Sequence, residues 1–176
     1  SITVSIVAPM VDEAAELRRF ARMIRRLTPP PHETILVDGG SADGSAALAR
    51  ALGLRVLASD RKGRAAQINA GVAAASGEAI FVIHLDTEVP EDACAVVAAT
   101  LADPTTALAG FTPVIAGPLK TRWLSTFHNW IKTWYAPLLF RPKSFFRGLR
   151  LLFGDHAMFF RKADFDAVGG LDPQMM

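Results

Sequence analysis

The feature that most constrains the fold is a regular alternation of short apolar runs with longer amphipathic or alanine-rich runs. Five apolar runs are typical of buried strands: residues 2–7, 34–37, 54–58, 79–85 and 107–113. Four runs between them are typical of helices: residues 12–27, 43–52, 65–76 and 90–102. Strands that alternate with helices at this spacing predict βαβ units, and therefore an α/β fold with a mostly parallel sheet flanked by helices.

A polar cluster follows each of the first four predicted strands. Asp12 and Glu13 follow the first strand, and Asp38 begins an Asp-Gly-Gly-Ser sequence after the second. A basic turn that includes Arg64 follows the third strand, and Asp86 follows the fourth. Ligands of open α/β sheets bind at the carboxyl ends of the strands. The clustered carboxylates, arginines and glycines suit a nucleotide together with a metal ion.

The Asp38 cluster has two interpretations. Asp38 is placed to accept hydrogen bonds from a base or ribose, and Gly40 lets a ligand lie against the backbone. The alternative is an ordinary turn in which Ser41 or Asp43 caps the next helix. The sequence contains no Gly-Lys-Ser/Thr at P-loop spacing and no dinucleotide glycine fingerprint here.

The next two clusters also leave alternatives open. Arg64 stands just before a helix, where a cation beside unpaired N–H groups makes a phosphate site, or else belongs to a solvated basic turn. His84 and Asp86 lie on the same side of a strand end. Asp86 is a candidate ligand for Mg²⁺ or Mn²⁺, which prefer oxygen donors, or a cap for the helix after Pro90. His84 is otherwise a core imidazole.

The character of the chain changes after Gly117, and we expect residues 1–117 to form the nucleotide-binding part and residues 118–176 an appendage on the acceptor side. Residues 118–162 contain nine basic residues and a single acid, Asp155. Aromatic residues at three- and four-residue steps predict an amphipathic helix over 123–134. A basic and aromatic helix suits core packing, an oligomer contact or a peripheral membrane contact. Asp155 is a candidate general base, or a salt-bridge partner of Arg147 or Arg150.

The cysteine content and the absence of recognisable targeting segments or nucleic-acid-binding modules limit the cellular compartments and binding partners we expect. The single Cys94 excludes an internal disulfide and a cysteine-rich zinc site. No signal peptide and no charge-free apolar stretch of about 18 residues is evident. We therefore expect a cytoplasmic protein, with the inner face of the membrane as a candidate peripheral location. The basic residues match no nucleic-acid-binding module, so we expect no nucleic-acid partner.

Taken in order, these motifs resemble the inverting GT-A glycosyltransferases of the family-two type. The matching segments are residues 5–13, 37–44, 64 with 69–71, 84–87, 154–155 and 168–172. The resemblance implies a Rossmann-like GT-A fold and metal-dependent, inverting transfer of a sugar from a nucleotide diphospho-sugar to an acceptor, for which a lipid-linked molecule is one candidate. The alternatives are a catalytically dead nucleotide-binding module of the same fold and a nucleotidyltransferase.

The resemblance also implies roles for individual residues. Pro9 and Glu13 would lie beside the nucleotide, Asp38 would contact the base, and Arg64 would lie near the base or diphosphate. Asp86 matches the last acid of the family's DxD motif, which holds the Mg²⁺ or Mn²⁺ ion and the donor diphosphate.

Three departures from the family pattern accompany the resemblance. Asp12 replaces a common Asn, and His84 replaces the first acid of the DxD motif. The family usually places a Glu-Asp pair, which includes its catalytic base, just beyond the position of Met176. We therefore expect the chain to be truncated, and within it Asp155 is the candidate base.

Overall fold

The computed structural model describes residues 2–112, 114, 123–140, 142–146 and 157–172. Contacts divide the chain into two units, Ser1–Ala109 with Met158–Met176, and Gly110–Ala157. The predicted boundary at Gly117 lies outside the described residues.

The elements follow the predicted alternation. The strands are β1 (Val4–Met10), β2 (Glu33–Asp38), β3 (Arg55–Ala58), β4 (Ala79–Val82), β5 (Leu108–Gly110) and β6 (Met158–Arg161). The helices are α1 (Ala14–Arg26), α2 (Ser45–Ala51), α3 (Arg64–Ala74), α4 (Ala93–Leu101), α5 (Trp123–Phe140), α6 (Pro142–Phe145) and α7 (Lys162–Ala167). Helices α5 and α6 belong to the second unit.

The six strands form one sheet in the order β3-β2-β1-β4-β6-β5. The pairs β1–β2, β1–β4 and β2–β3 are parallel, whereas β4 pairs with β6 in the antiparallel sense. The α/β prediction is therefore confirmed, with β6 making the sheet mixed. Met10, Asp38 and Ala58 lie side by side in register, so the carboxyl ends of three strands meet at one edge. We refer to this edge as the carboxyl edge.

The core is built from the central strands and the inner faces of the helices. All residues of β1 and β4 are buried, as expected for parallel strands covered on both faces. Helix α1 buries Leu17, Phe20 and Ile24 on one face, as its spacing predicts. Cys94 is buried in α4, and desolvation raises the pKa of its thiol to about 11. Among the described residues, no helix has the length and hydropathy to cross a membrane.

Helix α3 lies unusually close to the sheet at Gly71. A Cβ atom at this position would lie 2.4 Å from Val7 Cγ1 and 2.9 Å from Val37 Cγ2. Both valines are fully buried and have stiff, β-branched side chains. The absence of a side chain at residue 71 therefore sets the distance between α3 and strands β1 and β2.

A network at the opposite, amino edge ties three segments together. Glu33 Oε1 accepts hydrogen bonds from Ser5 Oγ (2.9 Å) and from the backbone N–H and Oγ of Ser76 (both 2.7 Å). Glu33 Oε2 lies 2.6 Å from Arg55 Nη1. Desolvation acts to raise the Glu33 pKa, but these hydrogen bonds and the Arg55 charge outweigh it and lower the pKa to about 2.

We predict that Gly71→Ala destabilises the protein. Alanine favours a helix interior by about 1 kcal/mol over glycine, but overpacking a core typically costs about 1–3 kcal/mol. The clash involves two stiff side chains, which places its cost in the upper part of this range, so we expect a net loss of roughly 1–2 kcal/mol in the free energy of unfolding, measured in urea. The exposed Ala73 on the same helix supplies the control. Ala73→Gly should lose only the difference in helix propensity between alanine and glycine, about 1 kcal/mol. An increase in stability for Gly71→Ala would contradict the packing account.

We predict that Glu33→Gln loses stability at neutral pH and progressively less stability as the pH falls below about 4.5. A carboxyl whose pKa is lowered on folding stabilises the protein above its ordinary pKa, near 4.5, and this contribution disappears as the pH falls through about 2. The variant should lose on the order of 2–3 kcal/mol at pH 7. Urea unfolding from pH 7 to pH 3 should show the wild-type and variant curves converging. A constant difference across this range would exclude the ionised carboxylate as the cause, and the exposed Glu88→Gln serves as control.

Candidate functional site

Arg64 and His84 meet at the carboxyl edge. Arg64, the first residue of α3, places its Nη2 atom 3.2 Å from His84 Nδ1. A guanidinium group only donates hydrogen bonds, so His84 Nδ1 acts as the acceptor and carries no proton in this contact. His84 is half-buried and bound to a charged group. It is therefore not the core imidazole that was the alternative interpretation.

Glu13 shares this region with Arg64 and Asp86. Burial raises the pKa of Glu13, a backbone hydrogen bond at Val11 and the Arg64 charge oppose the rise, and repulsion by Asp86 and Glu16 adds to it. Asp86 and Arg64 therefore both lie within electrostatic range of Glu13. The chain thus brings residues that are 73 positions apart, Glu13 and Asp86, to one place.

The backbone of Asp86 is held from α1. Arg19 Nη2 donates to Asp86 O at 2.7 Å, and the same guanidinium forms an ion pair with Glu16 at 3.1 Å. The Asp86 side chain is exposed. Helix α4 begins at Ala93 after Asp92, so Asp86 does not cap it. Sequence reasoning did not identify this contact.

The loop after β2 is tightly packed on one side and open on the other. Asp38 Oδ1 accepts hydrogen bonds from the backbone N–H and the hydroxyl of Ser41. A Cβ atom at Gly39 would lie 2.7 Å from Val11 Cγ2. Gly40 has φ +96°, and a Cβ atom there would meet no other atom within 4 Å, so its backbone faces open space. Pro9 is buried in β1, in register with Val37.

The loops after β1 and β2 bind each other reciprocally. The N–H of Asp12 donates to Ser41 Oγ (3.0 Å), and that of Ala14 donates to Asp43 Oδ2 (3.0 Å). In return, Asp12 Oδ1 accepts the N–H of Ala42 at 2.7 Å. The alternative that Ser41 or Asp43 simply caps the following helix is therefore incomplete. Asp43 does accept the N–H of the first residue of α2, but its other oxygen serves the start of α1.

Gln67, on α3, binds the ends of the two strands that precede these loops. Its side chain is buried, and its Nε2 atom donates to Met10 O (3.0 Å) and to Val37 O (2.8 Å). A buried amide that uses both N–H groups in this way fixes the ends of β1 and β2 relative to α3. Sequence reasoning gave Gln67 no role. The available signal was a long polar side chain within an otherwise alanine-rich helical run.

The donor set determines what kind of cation could bind. Within the described ranges, no three His, Cys, Asp or Glu side chains are grouped so as to hold a metal ion. Asp86 nevertheless offers an exposed carboxylate, the hard oxygen donor that Mg²⁺ and Mn²⁺ prefer. These residues fit a cation that is shared with the oxygens of a bound diphosphate, and not one held by protein alone.

A separate cleft of about 950 Å³ lies away from these residues. It is bounded by the amino end of β1, residues 29–32 and the Cys94 side of α4. The charged side chains of the carboxyl edge do not line it, so size alone does not identify the functional site.

In the second unit, helix α5 carries a row of exposed aromatic residues. Trp123, Phe127, Trp130 and Trp134 are 71%, 58%, 47% and 43% exposed, respectively. Neighbouring rings in the row contact each other, with centroids 6.1 Å apart for Phe127–Trp130 and 6.2 Å for Trp130–Trp134. The helix predicted over 123–134 is thus present and longer. Asp155, the candidate base, lies outside the described residues, as do Arg147 and Arg150.

The family model described as "Glycosyl transferase family 2" matches residues 5–169, and the chain belongs to this family. A comparison with curated protein sequences finds no significant match.

Solved structures show the same fold. A mannosyltransferase from Pyrobaculum calidifontis, in complex with GDP-Man and Mn²⁺, is 20% identical with a TM-score of 0.71 over 98% of this chain and 48% of its own. Glucosyl-3-phosphoglycerate synthase from Mycobacterium tuberculosis, with Mn²⁺, UDP and glucosyl-3-phosphoglycerate, is 19% identical with a TM-score of 0.64 over 93% and 58%. Mannosyl-3-phosphoglycerate synthase from Rubrobacter xylanophilus is 18% identical with a TM-score of 0.63 over 92% and 53%. The chain spans about half of these structures.

We predict that the pKa of Glu13 responds in opposite directions to its two charged neighbours. Asp86→Asn removes a repelling negative charge and should lower the Glu13 pKa, whereas Arg64→Gln removes an attracting positive charge and should raise it. Carboxyl-carbon NMR titration of selectively labelled glutamate measures both shifts. The exposed Asp92→Asn is the control and should leave the Glu13 pKa unchanged. The same Glu13 pKa in all variants would mean that Asp86 and Arg64 do not lie within electrostatic range of Glu13.

Proposed function

We propose that this member of glycosyl transferase family 2 binds a nucleotide diphospho-sugar at the carboxyl edge and transfers the sugar to an acceptor hydroxyl with inversion. The observation that carries the proposal is that Arg64 contacts His84, with Glu13 and Asp86 in electrostatic range, at the same carboxyl edge of the sheet as the open backbone of Gly40. The similar structures named above contain GDP-Man or UDP together with Mn²⁺. This likeness supports the assignment of the edge to a donor nucleotide.

In the proposed donor site, loops that follow different strands contact different parts of the nucleotide. Asp38 keeps its Oδ2 oxygen for the N–H groups of a base, since both hydrogen bonds from Ser41 go to Oδ1. Gly40 lets the nucleoside approach the backbone, and Pro9 and Glu13 line the floor of the site. Arg64 stands where its positive charge attracts the diphosphate.

The proposed metal site centres on Asp86. Its carboxylate would hold Mg²⁺ or Mn²⁺, and donor diphosphate oxygens would complete the coordination. A bound cation supplies neutralisation of the negative charge that develops on the leaving diphosphate. Arg19, through the Asp86 carbonyl, holds the backbone of this loop while the carboxylate faces solvent.

The proposed transfer is a single displacement at the anomeric carbon. The acceptor hydroxyl oxygen forms the new bond as the bond to the diphosphate oxygen breaks, and a carboxylate takes the hydroxyl proton. Attack from the face opposite the leaving group inverts the configuration. Within this chain Asp155 is the proposed base.

We predict that Asp86→Ala weakens nucleotide binding at least about tenfold in the presence of Mn²⁺, because the variant removes a direct ligand of the shared cation. Calorimetric titration of UDP and of GDP, with and without Mn²⁺, measures the effect and identifies the preferred base. Asp92→Ala, which removes another exposed aspartate of the same loop, should bind as wild type.

The outcomes separate the alternatives. Binding that is independent of both Mn²⁺ and Asp86 would refute the metal assignment. Wild-type protein that binds a nucleotide but releases none from UDP-glucose or GDP-mannose would favour the catalytically dead module. Absence of binding for both nucleotides would refute the donor site.

A second part of the proposal concerns the acceptor side. The exposed aromatic row on α5 and the excess of basic residues over 118–162 suit contact with an anionic membrane surface, where a lipid-linked acceptor would be found. Aromatic rings bind at the headgroup level and basic residues are attracted to anionic lipids.

We predict that the protein cosediments with vesicles of phosphatidylglycerol and phosphatidylcholine more strongly than with phosphatidylcholine alone. Trp123→Ala with Phe127→Ala, and charge reversal at Arg147 and Arg150, should each reduce binding severalfold. Leu108→Ala, which removes a 52% exposed side chain of the first unit, is the control. Failure of the intact protein to bind either type of vesicle would remove the membrane proposal.

A further inference from the structure

The Asn69 side chain on α3 binds a backbone segment 102 residues further along the chain. Asn69 Nδ2 donates to Leu171 O at 2.7 Å, and the N–H of Leu171 donates to Asn69 Oδ1 at 2.9 Å. The amide therefore satisfies both backbone groups of one residue, as a neighbouring strand would. Neither aspartate nor leucine offers a donor and an acceptor in this arrangement.

Two glycines bring the segment to Asn69. Gly169 and Gly170 follow α7 with φ of +81° and +80°, conformations that favour glycine. A Cβ atom at Gly170 would lie 3.0 Å from Asn69 Oδ1 and 3.3 Å from Phe165 Cε1. The turn after α7 is thus shaped to place the Leu171 backbone against the Asn69 amide.

The topology brings this segment back from the amino edge of the sheet to α3. Strand β6 runs antiparallel to β4, with Met158 opposite Val82 and Arg161 opposite Ala79, so it ends at the amino edge. Helix α7 and residues 168–172 then lead the chain back. Asn69 is five residues after Arg64, which corresponds to roughly 7.5 Å along the helix. Asn69 is also five residues before Ala74, so the returning segment meets α3 at the middle of the helix.

Helix α3 thereby contacts three separate segments of the first unit. Arg64 contacts His84, Gln67 holds the ends of β1 and β2, and Asn69 holds Leu171. Leu171 also packs against the buried cluster that includes Val7 and Val37. The residue that follows, Asp172, is exposed. The direction of the chain at Asp172 is consequently fixed relative to the helix that begins at Arg64.

We propose that Asn69 is a positioning residue for sugar transfer. It acts through the Leu171 backbone by fixing residues 168–172 against α3, the helix that begins at Arg64, and it does not touch the donor. This inference rests on the proposed function. It predicts that loss of the Asn69 contacts slows turnover without weakening nucleotide binding, because the donor contacts lie on the other loops.

The test uses Asn69→Asp, which keeps the size of the side chain and one acceptor but replaces the donor with a carboxylate facing Leu171 O. Ser76→Ala is the control, since it removes a side-chain hydrogen bond between distant segments at the amino edge, just past the end of α3. Three quantities are measured: UDP and GDP affinity by calorimetry with Mn²⁺, nucleotide release from UDP-glucose or GDP-mannose, and hydrogen exchange of the Leu171 amide.

For Asn69→Asp we expect nucleotide affinity and donor KM within about twofold of wild type, and kcat lower by about ten- to a hundredfold, the size of loss that a small misplacement produces. The Leu171 amide should exchange faster, and Ser76→Ala should retain wild-type kcat. Faster exchange at Leu171 with unchanged kcat would overturn the proposal and leave Asn69 a structural residue. A parallel loss of nucleotide affinity would also overturn it.

A failure of the proposed function has a different signature. If wild-type protein neither binds nor turns over either nucleotide sugar, the positioning role fails together with the proposed function. Protection of the Leu171 amide in wild type, and its loss in Asn69→Asp, would still show that the contact itself exists. An exchange rate of the Leu171 amide that is the same in the variant as in wild type would instead show that the contact is absent.

Discussion

The close approach of α3 to strands β1 and β2 at Gly71 is the constraint on which the rest of the site depends. Only a residue without a side chain fits between Val7 and Val37 at this separation. At this distance Gln67 reaches the carbonyls of Met10 and Val37. The same helix presents Arg64 to His84 at one end of the site. A packing contact in the core therefore determines where the polar loops at the carboxyl edge lie.

The loops themselves are held by hydrogen bonds between segments, and the side chains proposed for ligand binding are left facing outward. The Asp12 carboxylate accepts the N–H of Ala42 and the Asp43 carboxylate accepts the N–H of Ala14, each across the two loops. Arg19 donates to the Asp86 carbonyl. Groups fixed in advance bind a ligand with less loss of conformational entropy than mobile groups. Asp86 and the backbone of Gly40 remain accessible, as a donor site with a shared cation requires.

The sequence was sufficient to predict the alternating α/β elements and the position of the polar clusters, because both follow from local periodicity and from the rule that ligands bind at strand ends. It could not predict contacts that depend on the paths of distant loops. Periodicity does not show which arginine of α1 turns back to Asp86, and nothing local connects Asn69 with Leu171. The antiparallel pairing of β6 likewise follows from the path of the intervening chain, which no short motif encodes.

The most direct test of the account is to map the amide NMR shifts of the protein during titration with UDP and with GDP in the presence of Mg²⁺. The account predicts that shifts for one of the nucleotides concentrate at the carboxyl edge, at Gly40, Arg64 and Thr87, and leave Gly77 at the amino edge unchanged. Shifts confined to the amino edge, or to the cleft beside His32 and Cys94, would contradict it, as would the absence of any shift with both nucleotides.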